Sequence, residues 1–568
     1  MVFSPSTYDN FVAEKSSAQS RLFSPYSGSR DDFDLIIIGS GMGGGILADD
    51  IAERVGKQKR ILVLEAGSYL YPTHIYNMCR FPNANVAKNF ACKTFHQNGN
   101  EHSENYIHEQ PQLNFGGRSI WWSGLIPQIQ PWELEFFPER VRKDLRDGGL
   151  EKAGVIMNES SSMGTVAQKI VEKFQKSPLA QDFIIKQTPR ALHQPYLSSA
   201  GTAKDEFFTE PTGVFNTAEL LINQVGLTPG SNPDGPGLHM LLNKFVEGVD
   251  PIADGPFKYR VRTTDTVDNQ QRSFRAKNVV LCGGSIESPK LLRRSQDVYN
   301  TLPPASQSLV GVGLTDHPTT SELNAFVSHM GDDLPIARHD HAKLVLYSRG
   351  RRGGPNNNNN ETLYPFNVEI NVNHEYWHLR ENDPTEPHAH DVTGDSRIDF
   401  KFSFGNPVYG GNRMDAGGDG YMTNMQFRNL SWASHLAESR FPALAGWNKS
   451  IEQIWAVLND VSYKIFSEFS LRGAPARPEN EAWFGKDGKG FGMGTVHHAA
   501  CSLRMPFRWT HDRAFEPDSV VDEDLQVRGA EGLYVCDMSV MPFSSAANPV
   551  RTLAALSLRL SERLETKL

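Results

Sequence analysis

A glycine-rich turn between an apolar run and a helical pattern most constrains how this chain folds. Residues 36–38 are continuously apolar, which is typical of a parallel strand buried on both faces. The turn GSGMGGG follows, then the helical segment ILADDIAERVGK and a second apolar run, ILVLE, that ends at Glu65. This order predicts a βαβ unit whose two strands are parallel neighbours.

The glycines of the turn have the G-x-G-x-x-G spacing that binds a dinucleotide. Gly39 allows the tight turn, Gly41 lets a pyrophosphate approach the backbone, and Gly44 allows close helix–strand packing. Glu65 stands where an acid can accept hydrogen bonds from ribose hydroxyls. The chain holds 48 glycines, so a purely structural turn is the alternative. These residues alone leave FAD and NAD both open.

The later sequence predicts an α/β fold with an inserted second domain. Apolar runs at residues 278–284 and 532–539 have the same character as the first strand, which suggests that the chain returns to one parallel sheet. Between them, period-2 segments predict antiparallel strands with one covered face. The predicted division is an arm at residues 1–30, a nucleotide-binding domain at 31–320 and 482–568, and an inserted α+β domain at 321–481 that also takes part of 140–210.

Charge and cysteine usage exclude several classes of protein. The formal net charge of −9 argues against nucleic acid as the main partner, because phosphate binding requires a clustered basic surface. No run of about 18 apolar residues occurs, which predicts no membrane span. The N-terminus has no apolar core for a signal peptide, and the five cysteines are scattered without a CxxC pair. We therefore expect a cytoplasmic protein.

Four further segments follow the glycine turn in a recognisable order. They are NFGGRSIWWSG at 114–124, GGSIESPKLLRRS at 283–295, GVGLTDHP at 311–318, and the C-terminal block at 520–556. Together with the turn they resemble the motifs of glucose–methanol–choline (GMC) oxidoreductases, with a departure at Gln296, where glycine is usual. The resemblance implies a FAD-binding Rossmann-like domain with an inserted substrate domain built on an antiparallel sheet. It also implies oxidation of an alcohol by hydride transfer to flavin N5.

The resemblance assigns several residues to the cofactor. Val246 would lie in a strand against the adenine ring, although an ordinary core valine is the alternative. Asp537 would lie near the flavin or pyrophosphate, with a strand-end turn former as the alternative. The first loop would contact the flavin through Gly116, Gly117, Ser119 and Trp122.

Within the family, two features are similar to pyranose oxidases. Trp122 stands where glucose-oxidase-like members have the asparagine of an NGG triplet, and Asn548 stands where those members have histidine. Pyranose oxidases attach the flavin covalently to a histidine, whose position here is Trp121. Indole offers no such nucleophile, so we expect non-covalent FAD. The same features suggest a sugar or polyol as substrate.

The oxidation of an alcohol requires a base near the hydroxyl group, and histidine titrates close to the working pH. Counting back from Met505 in the family's H-x-x-G-T-x-x-M pattern assigns the base to His498, with His497 as the alternative. Cys501 and Ser502 replace the usual Gly–Thr, and both histidines could be structural. Asn548 would hydrogen-bond the same hydroxyl, or it could serve only as a helix N-cap before proline.

Other functions remain open at this point. On the same fold, a lyase could hold FAD as a structural cofactor and use His498 only as acid and base; a non-catalytic flavin-binding protein is a further alternative. An oxidase would pass electrons to O₂, and a dehydrogenase to a quinone. HEYWH at 374–378 matches the letters of a zinc-protease motif, but the surrounding alternation predicts a strand, which separates the two histidines by roughly 13 Å. We therefore predict no metal site.

Overall fold

The structure is a computed structural model, and it describes most of the predicted nucleotide-binding domain and less than half of the predicted inserted domain. The arm up to residue 28 and the HEYWH motif lie outside the described residues. The described residues are 29–70, 74–75, 92–98, 110–160, 164–192, 213–227, 234–317, 319–320, 323–327, 334, 342–349, 366–372, 396–405, 408, 410–415, 420–426, 451–469, 491–492, 497–508, 515–516 and 518–568.

The strands are numbered in chain order. They are β1 Asp32–Ile38, β2 Arg60–Leu64, β3 Phe95–Asn98, β4 Phe183–Gln187, β5 Gly237–Leu241, β6 Lys244–Asp254, β7 Phe257–Asp265, β8 Gln271–Leu281, β9 Thr319–Thr320, β10 Leu323–Val327, β11 Ala342–Ser348, β12 Phe366–Val372, β13 Ser396–Phe404, β14 Arg413–Met414, β15 Thr423–Gln426, β16 Phe491–Gly492, β17 Phe507–Arg508, β18 Phe515–Glu516 and β19 Leu533–Val535.

The α-helices are numbered in the same way. They are α1 Met42–Val55, α2 Pro131–Leu134, α3 Glu139–Asp144, α4 Leu150–Ile156, α5 Thr165–Gln175, α6 Leu179–Asp182, α7 Thr217–Leu227, α8 Gly284–Arg294, α9 Gln296–Tyr299, α10 Pro304–Leu309, α11 Ile451–Phe469 and α12 Val550–Glu565.

The first large sheet is mostly parallel and has the order β5-β2-β1-β8-β7-β6, with β19 also paired to β8. The strands β5, β2, β1, β8 and β19 run parallel, and β6, β7 and β8 form an antiparallel meander. Ile36 to Ile38 pair with β2 on one side and β8 on the other, so they are buried on both faces. The predicted βαβ unit and the return of the two later apolar runs to one sheet are confirmed.

The second large sheet is antiparallel and has the order β16-β9-β13-β12-β11-β4, with β10 also paired to β13. One of its faces is apolar and packs against α5 and α11 in a core of its own. The apolar side chains of the sheet in this core include Phe366, Val368, Ile370, Val372, Phe400, Phe402 and Phe404. The expectation of an α/β fold with a parallel sheet and a separate antiparallel sheet is confirmed.

The expectation that only one face of the antiparallel strands is covered is wrong for β12. Every residue of β12 is buried, including the polar side chains of Asn367, Glu369 and Asn371 on the face opposite the apolar core. Alternation of polar and apolar residues shows which groups share a face, but it does not show whether water covers the polar one. The charge of Glu369 acts on His317 of the first domain, so the polar face is turned toward that domain.

Helices cover the parallel sheet and form the larger core. Helix α1 packs against both α7 and α12, as its apolar face requires. Leu553, Leu556, Leu560 and Leu564 of α12 are all buried in that core, as their spacing predicts. Among the described helices, none combines the length and the apolar composition needed to cross a membrane.

Asp49 of α1 provides a pH-dependent test of this packing. Burial, together with the nearby charges of Glu53 and Asp50, raises the pKa of Asp49 to about 8. The folded state therefore holds the proton more tightly than the unfolded state, and stability falls as pH rises from about 4 to about 8. We expect Asp49→Asn to remove this loss, which amounts to at most ~1.4 kcal/mol per pH unit.

The measurement is the melting temperature of both proteins between pH 5 and pH 8. The melting temperature of Asp49→Asn should increase relative to that of the wild type as pH rises. Glu151→Gln is the matched control, because it removes an exposed carboxylate charge from another helix, α4, and Glu151 does not act on the pKa of Asp49. A difference in melting temperature between Asp49→Asn and the wild type that stays constant with pH would contradict the prediction.

Candidate active site

The glycine turn after β1 brings separate backbone segments into close contact. Gly39 has a φ of +109°, and a Cβ there would lie 2.4 Å from the backbone oxygen of Cys282. A Cβ on Gly44 would lie 2.0 Å from the backbone oxygen of Gly39. In contrast, a Cβ on Gly41 would meet no atom within 4 Å. Gly39 and Gly44 are therefore required for packing, while Gly41 borders open space.

That open space lies at the N-terminus of α1. Gly41 is the N-cap residue, and neither a side-chain cap nor an acidic residue is present in the first turn. The first N–H groups of a helix have no partner within the helix, and together with the helix dipole they favour an anion. The turn thus has the properties of a phosphate site.

Glu65 lies beside the turn, at the end of β2, and is fully buried. Its Oε2 accepts hydrogen bonds from the backbone N of Ser40 at 3.0 Å and from the Ser40 Oγ at 2.6 Å, and its Oε1 accepts from the Gly67 N at 2.9 Å. Burial raises the pKa of Glu65, and these donors act against the rise. Each carboxylate oxygen has two lone pairs and Oε2 already accepts two hydrogen bonds, so only Oε1 keeps acceptor capacity for a ribose hydroxyl.

The loop at 114–122 lies against the glycine turn. The Gly116 N donates to the Ser40 Oγ at 2.9 Å, and a Cβ on Gly117 would lie 3.2 Å from the Cα of Gly41. Ser119 donates its Oγ proton to the Gly116 backbone oxygen at 2.6 Å, which closes the loop. The structure therefore brings Gly116, Gly117 and Ser119 together with the turn, while their contacts with the flavin stay a prediction.

The two tryptophans of this loop are half-buried against the larger core. Trp122 donates its indole N–H to the backbone oxygen of Phe215 at 2.8 Å. Trp121 donates its indole N–H to Asn114 Oδ1 at 3.5 Å. Both indoles are held by the protein, and the inference of non-covalent FAD from Trp121 stays a prediction.

Asp537 and Val246 lie in the same domain. The Asp537 carboxylate accepts hydrogen bonds from the Gly284 N at 2.9 Å and the Ser539 N at 2.8 Å, so it joins the segments that follow β8 and β19. Val246 is buried in β6 beside a bulge in the pairing with β7. The cofactor contacts of both residues stay predictions.

Two loops bring His317 and His498 together. Thr315 and Ala500 exchange backbone hydrogen bonds of 3.1 and 2.8 Å. Asp316 Oδ1 accepts from the backbone N of His317 at 2.7 Å and from the backbone N of His498 at 3.0 Å. The two rings are stacked at 5.2 Å, and their Nδ1 atoms lie 3.0 Å apart.

The environment of the pair keeps both rings neutral at ordinary pH. Burial lowers the pKa of His317 to about 4, although Glu369 acts in the opposite direction. Burial, the neighbouring ring of His317 and the positive charges of Lys401 and Arg118 lower the pKa of His498 well below its usual range. A neutral imidazole can accept a proton, which is the requirement for a general base.

The alternative base, His497, has a different setting. Its side chain is exposed, and its φ of +62° lies in the left-handed region. The backbone oxygen of His497 accepts from Arg118 at 3.4 Å. This geometry favours His498 as the histidine directed into the site.

Asn548 precedes α12 but does not cap it. The helix begins at Val550, no side chain caps it, and Asn548 Oδ1 is buried without a hydrogen bond to any described residue. The alternative that Asn548 is only an N-cap is therefore wrong: Pro549 takes the N-cap position. The unpaired oxygen is available to a ligand.

A buried carboxylate holds the loop before Asn548. Glu133 Oε1 accepts from the Ala546 N at 2.5 Å, and its Oε2 accepts from the Gln130 N at 3.0 Å. Burial raises the pKa of Glu133 to about 7, against the effect of these donors. Glu133 thereby fixes the backbone two residues from Asn548.

Sequence reasoning missed Ser40, Glu133, Asp316 and His317. Ser40 lies inside the glycine turn, and Asp316 and His317 lie inside the recognised segment at 311–318, so these two motifs could have pointed to all three residues. Glu133 lies in none of the recognised motifs. In the described part of the chain, no group of three or more His, Cys, Asp or Glu side chains is arranged to hold a metal ion.

The chain is similar to known proteins in part of its sequence and in its fold. Residues 465–557 match the C-terminal model of the GMC oxidoreductase family. The oxidoreductase cicC of Emericella nidulans is 39% identical over 70 residues, which are 12% of this chain and 10% of that protein. The chain thus matches only about a tenth of the length of that relative. The crystal structure of pyridoxine 4-oxidase from Mesorbium loti superimposes on this chain with a TM-score of 0.57 and 14% sequence identity. The match covers 94% of this chain and 99% of that chain, so the two share the fold.

The family implies FAD, and the residues present fit that cofactor. Open space at Gly41 lies at a helix N-terminus, where a pyrophosphate can approach. Glu65 Oε1 retains acceptor capacity at the end of β2, and the unpaired Oδ1 of Asn548 lies within the family-like C-terminal block at 520–556.

Gly41→Ala tests this fit. Its φ of −65° suits alanine, so the fold should be kept, but the new methyl group would enter the open space. We expect FAD affinity to fall by about 10-fold or more, since overpacking costs ~1–3 kcal/mol. The measurement is a titration of the apoprotein with FAD, together with its melting temperature.

Gly164→Ala is the matched control, because a Cβ there also meets open space but lies away from the turn. It should bind FAD as the wild type does. Wild-type FAD affinity in Gly41→Ala would contradict the assignment of the turn.

Proposed function

We propose that this chain, whose C-terminal part belongs to the GMC oxidoreductase family, is a FAD-dependent enzyme that oxidises an alcohol group of a sugar or polyol. The chemistry is supported by two observations within residues 465–557: the half-buried ring of His498, whose pKa is well below its usual range, and the buried amide oxygen of Asn548, which has no hydrogen bond to a described residue. FAD, when bound, supplies the acceptor for the hydride.

His498 and Asn548 have distinct tasks in this proposal. The hydroxyl proton of the substrate moves to the neutral ring of His498 as the hydride leaves the carbon atom. The Asn548 amide hydrogen-bonds the same hydroxyl group and orients it. The electrons then pass to O₂ or to a quinone, and mixing of the reduced enzyme with air separates these two acceptors.

The polar face of the antiparallel sheet supports a hydroxyl-rich substrate. Glu369 lies opposite Lys401 in the register of β12 and β13, and the two form an ion pair of 3.5 Å. Burial opposes the charge on Glu369, but Lys401, Lys343 and His317 outweigh it and lower its pKa. This face is therefore charged, buried and close to the histidine pair.

Two amide atoms on this face are buried without a hydrogen bond to any described residue. They are Asn367 Nδ2 and Asn371 Oδ1, that is, one donor and one acceptor. An unpaired buried polar atom costs ~1–3 kcal/mol, so such atoms need a partner. Hydroxyl groups both donate and accept, and they suit this mixture better than an apolar alcohol does.

His498→Ala tests the proposed base. We expect FAD to remain bound, because no cofactor contact is assigned to His498, and flavin reduction by substrate to slow by about 10²-fold or more. The measurement is anaerobic bleaching of the flavin band after rapid mixing with a panel of sugars, polyols and simple alcohols. His497→Ala should change the rate by less than about 3-fold.

Two outcomes would contradict this assignment. Undiminished bleaching in His498→Ala would remove His498 as the base. A wild-type flavin band that no alcohol bleaches, combined with cleavage of a substrate, would favour a lyase over an oxidoreductase.

Glu369→Gln tests the substrate class. Loss of a charged hydrogen-bond acceptor costs ~1.5–3 kcal/mol, so the KM for the best polyol should rise by about 10-fold or more. The KM for an apolar alcohol such as benzyl alcohol should change less. Glu172→Gln on the exposed side of α5 is the charge-matched control. A wild-type preference for apolar alcohols, or equal KM changes for both classes, would contradict a polyol substrate.

A further inference from the structure

The contact between His317 and His498 requires that the two rings share one proton. Their Nδ1 atoms are 3.0 Å apart, which is hydrogen-bond distance, and a hydrogen bond needs one donor and one acceptor. Both rings are neutral at ordinary pH, so each carries one N–H group. Either His317 donates and His498 accepts, or the reverse.

The two arrangements have opposite consequences for catalysis. If His498 accepts at Nδ1, its own proton is on Nε2, and that atom cannot take a proton from a substrate. If His498 donates from Nδ1, its Nε2 carries a free lone pair. Only the second arrangement makes His498 a base at Nε2.

The surroundings of His317 favour the second arrangement. The backbone carbonyl of Ala546 favours a proton on the His317 ring. The Nδ1 atom of that ring faces His498, so a proton attracted by Ala546 belongs on Nε2. His317 Nε2 is buried and forms no hydrogen bond of standard geometry with a described residue, so this atom has no competing donor that would require it to be an acceptor.

Ala546 and the two histidines are held firmly in these positions. Glu133 accepts the Ala546 N–H at 2.5 Å, so the orientation of that peptide segment is fixed. Asp316 accepts the backbone N–H groups of both histidines through one oxygen atom. The direction of the hydrogen bond between the two rings is therefore set by buried backbone contacts rather than by solvent.

We propose that His317 is a positioning residue that accepts the Nδ1 proton of His498 and so keeps Nε2 of His498 free as the base. This inference rests on the proposed role of His498. The substrate proton forms a bond with Nε2, the Nδ1 proton of His498 stays donated to His317, and the imidazolium so formed gives up one proton to solvent before the next turnover. His317 itself gains and loses no proton.

Two variants of nearly equal shape test the acceptor. Asn places its Oδ1 close to the position of a histidine Nδ1, whereas Leu has the same branching and no acceptor. We expect His317→Asn to keep kcat within about 5-fold of wild type and His317→Leu to lose about 10²-fold, with KM nearly unchanged in both, since a wrongly protonated base lowers kcat by up to ~10⁴-fold. FAD content and melting temperature show that both variants are folded. Equal kcat values in the two variants, at any level, would overturn the proposal.

A second measurement reads the proton directly and without turnover. Solid-state ¹⁵N NMR spectra of the FAD-loaded protein, labelled at histidine, distinguish Nδ1–H from Nε2–H, and the difference from His498→Ala assigns the signals of His498. We expect His498 in the Nδ1–H form at neutral pH. An Nε2–H form would overturn the role of His317, whereas undiminished bleaching in His498→Ala would overturn the proposed base and leave the NMR result unaffected.

Discussion

The close approach of three backbone segments at the carboxyl edge of the parallel sheet is the constraint on which the rest of the structure depends. A Cβ on Gly39 would lie 2.4 Å from the Cys282 oxygen, and one on Gly43 would lie 2.0 Å from the Cys536 oxygen. These contacts lock the turn after β1 against the ends of β8 and β19. Because parallel strands have their carboxyl ends at one edge, segments distant in the chain reach the same crevice there.

The loops above that edge are positioned by buried carboxylates rather than by regular secondary structure. Burial raises the pKa of Glu65, Glu133 and Asp537, so each of these groups carries a desolvation cost. Several N–H donors offset that cost at each site, and the result is a rigid loop. Each carboxylate accepts two backbone N–H groups: Glu65 from Ser40 and Gly67, Glu133 from Gln130 and Ala546, and Asp537 from Gly284 and Ser539. Asp316 does the same for His317 and His498.

Local pattern and motif order predicted the parts of the fold that local forces determine. The apolar run of β1, the helix α1 and the spacing of leucines in α12 each carry their own periodicity, and all three are as expected. The partner of His498 lies 181 residues away in the chain, and no periodicity connects the two. Likewise, Asn–Pro before a helix is compatible with a helix cap or with a ligand contact. The unpaired Oδ1 of Asn548 argues against the cap, and the sequence does not show it.

The polar face of β12 shows why a binding surface is hard to predict from sequence alone. A strand with Asn367, Glu369 and Asn371 in alternation has the same pattern whether water or a second domain covers it. The difference lies in burial. Water would satisfy these groups on an open surface, but here Asn367 Nδ2 and Asn371 Oδ1 are buried and have no hydrogen bond to a described residue. Desolvated polar groups without partners are unfavourable in an empty fold. In the proposed function, a polar substrate supplies the partners that the Asn367 and Asn371 side chains lack.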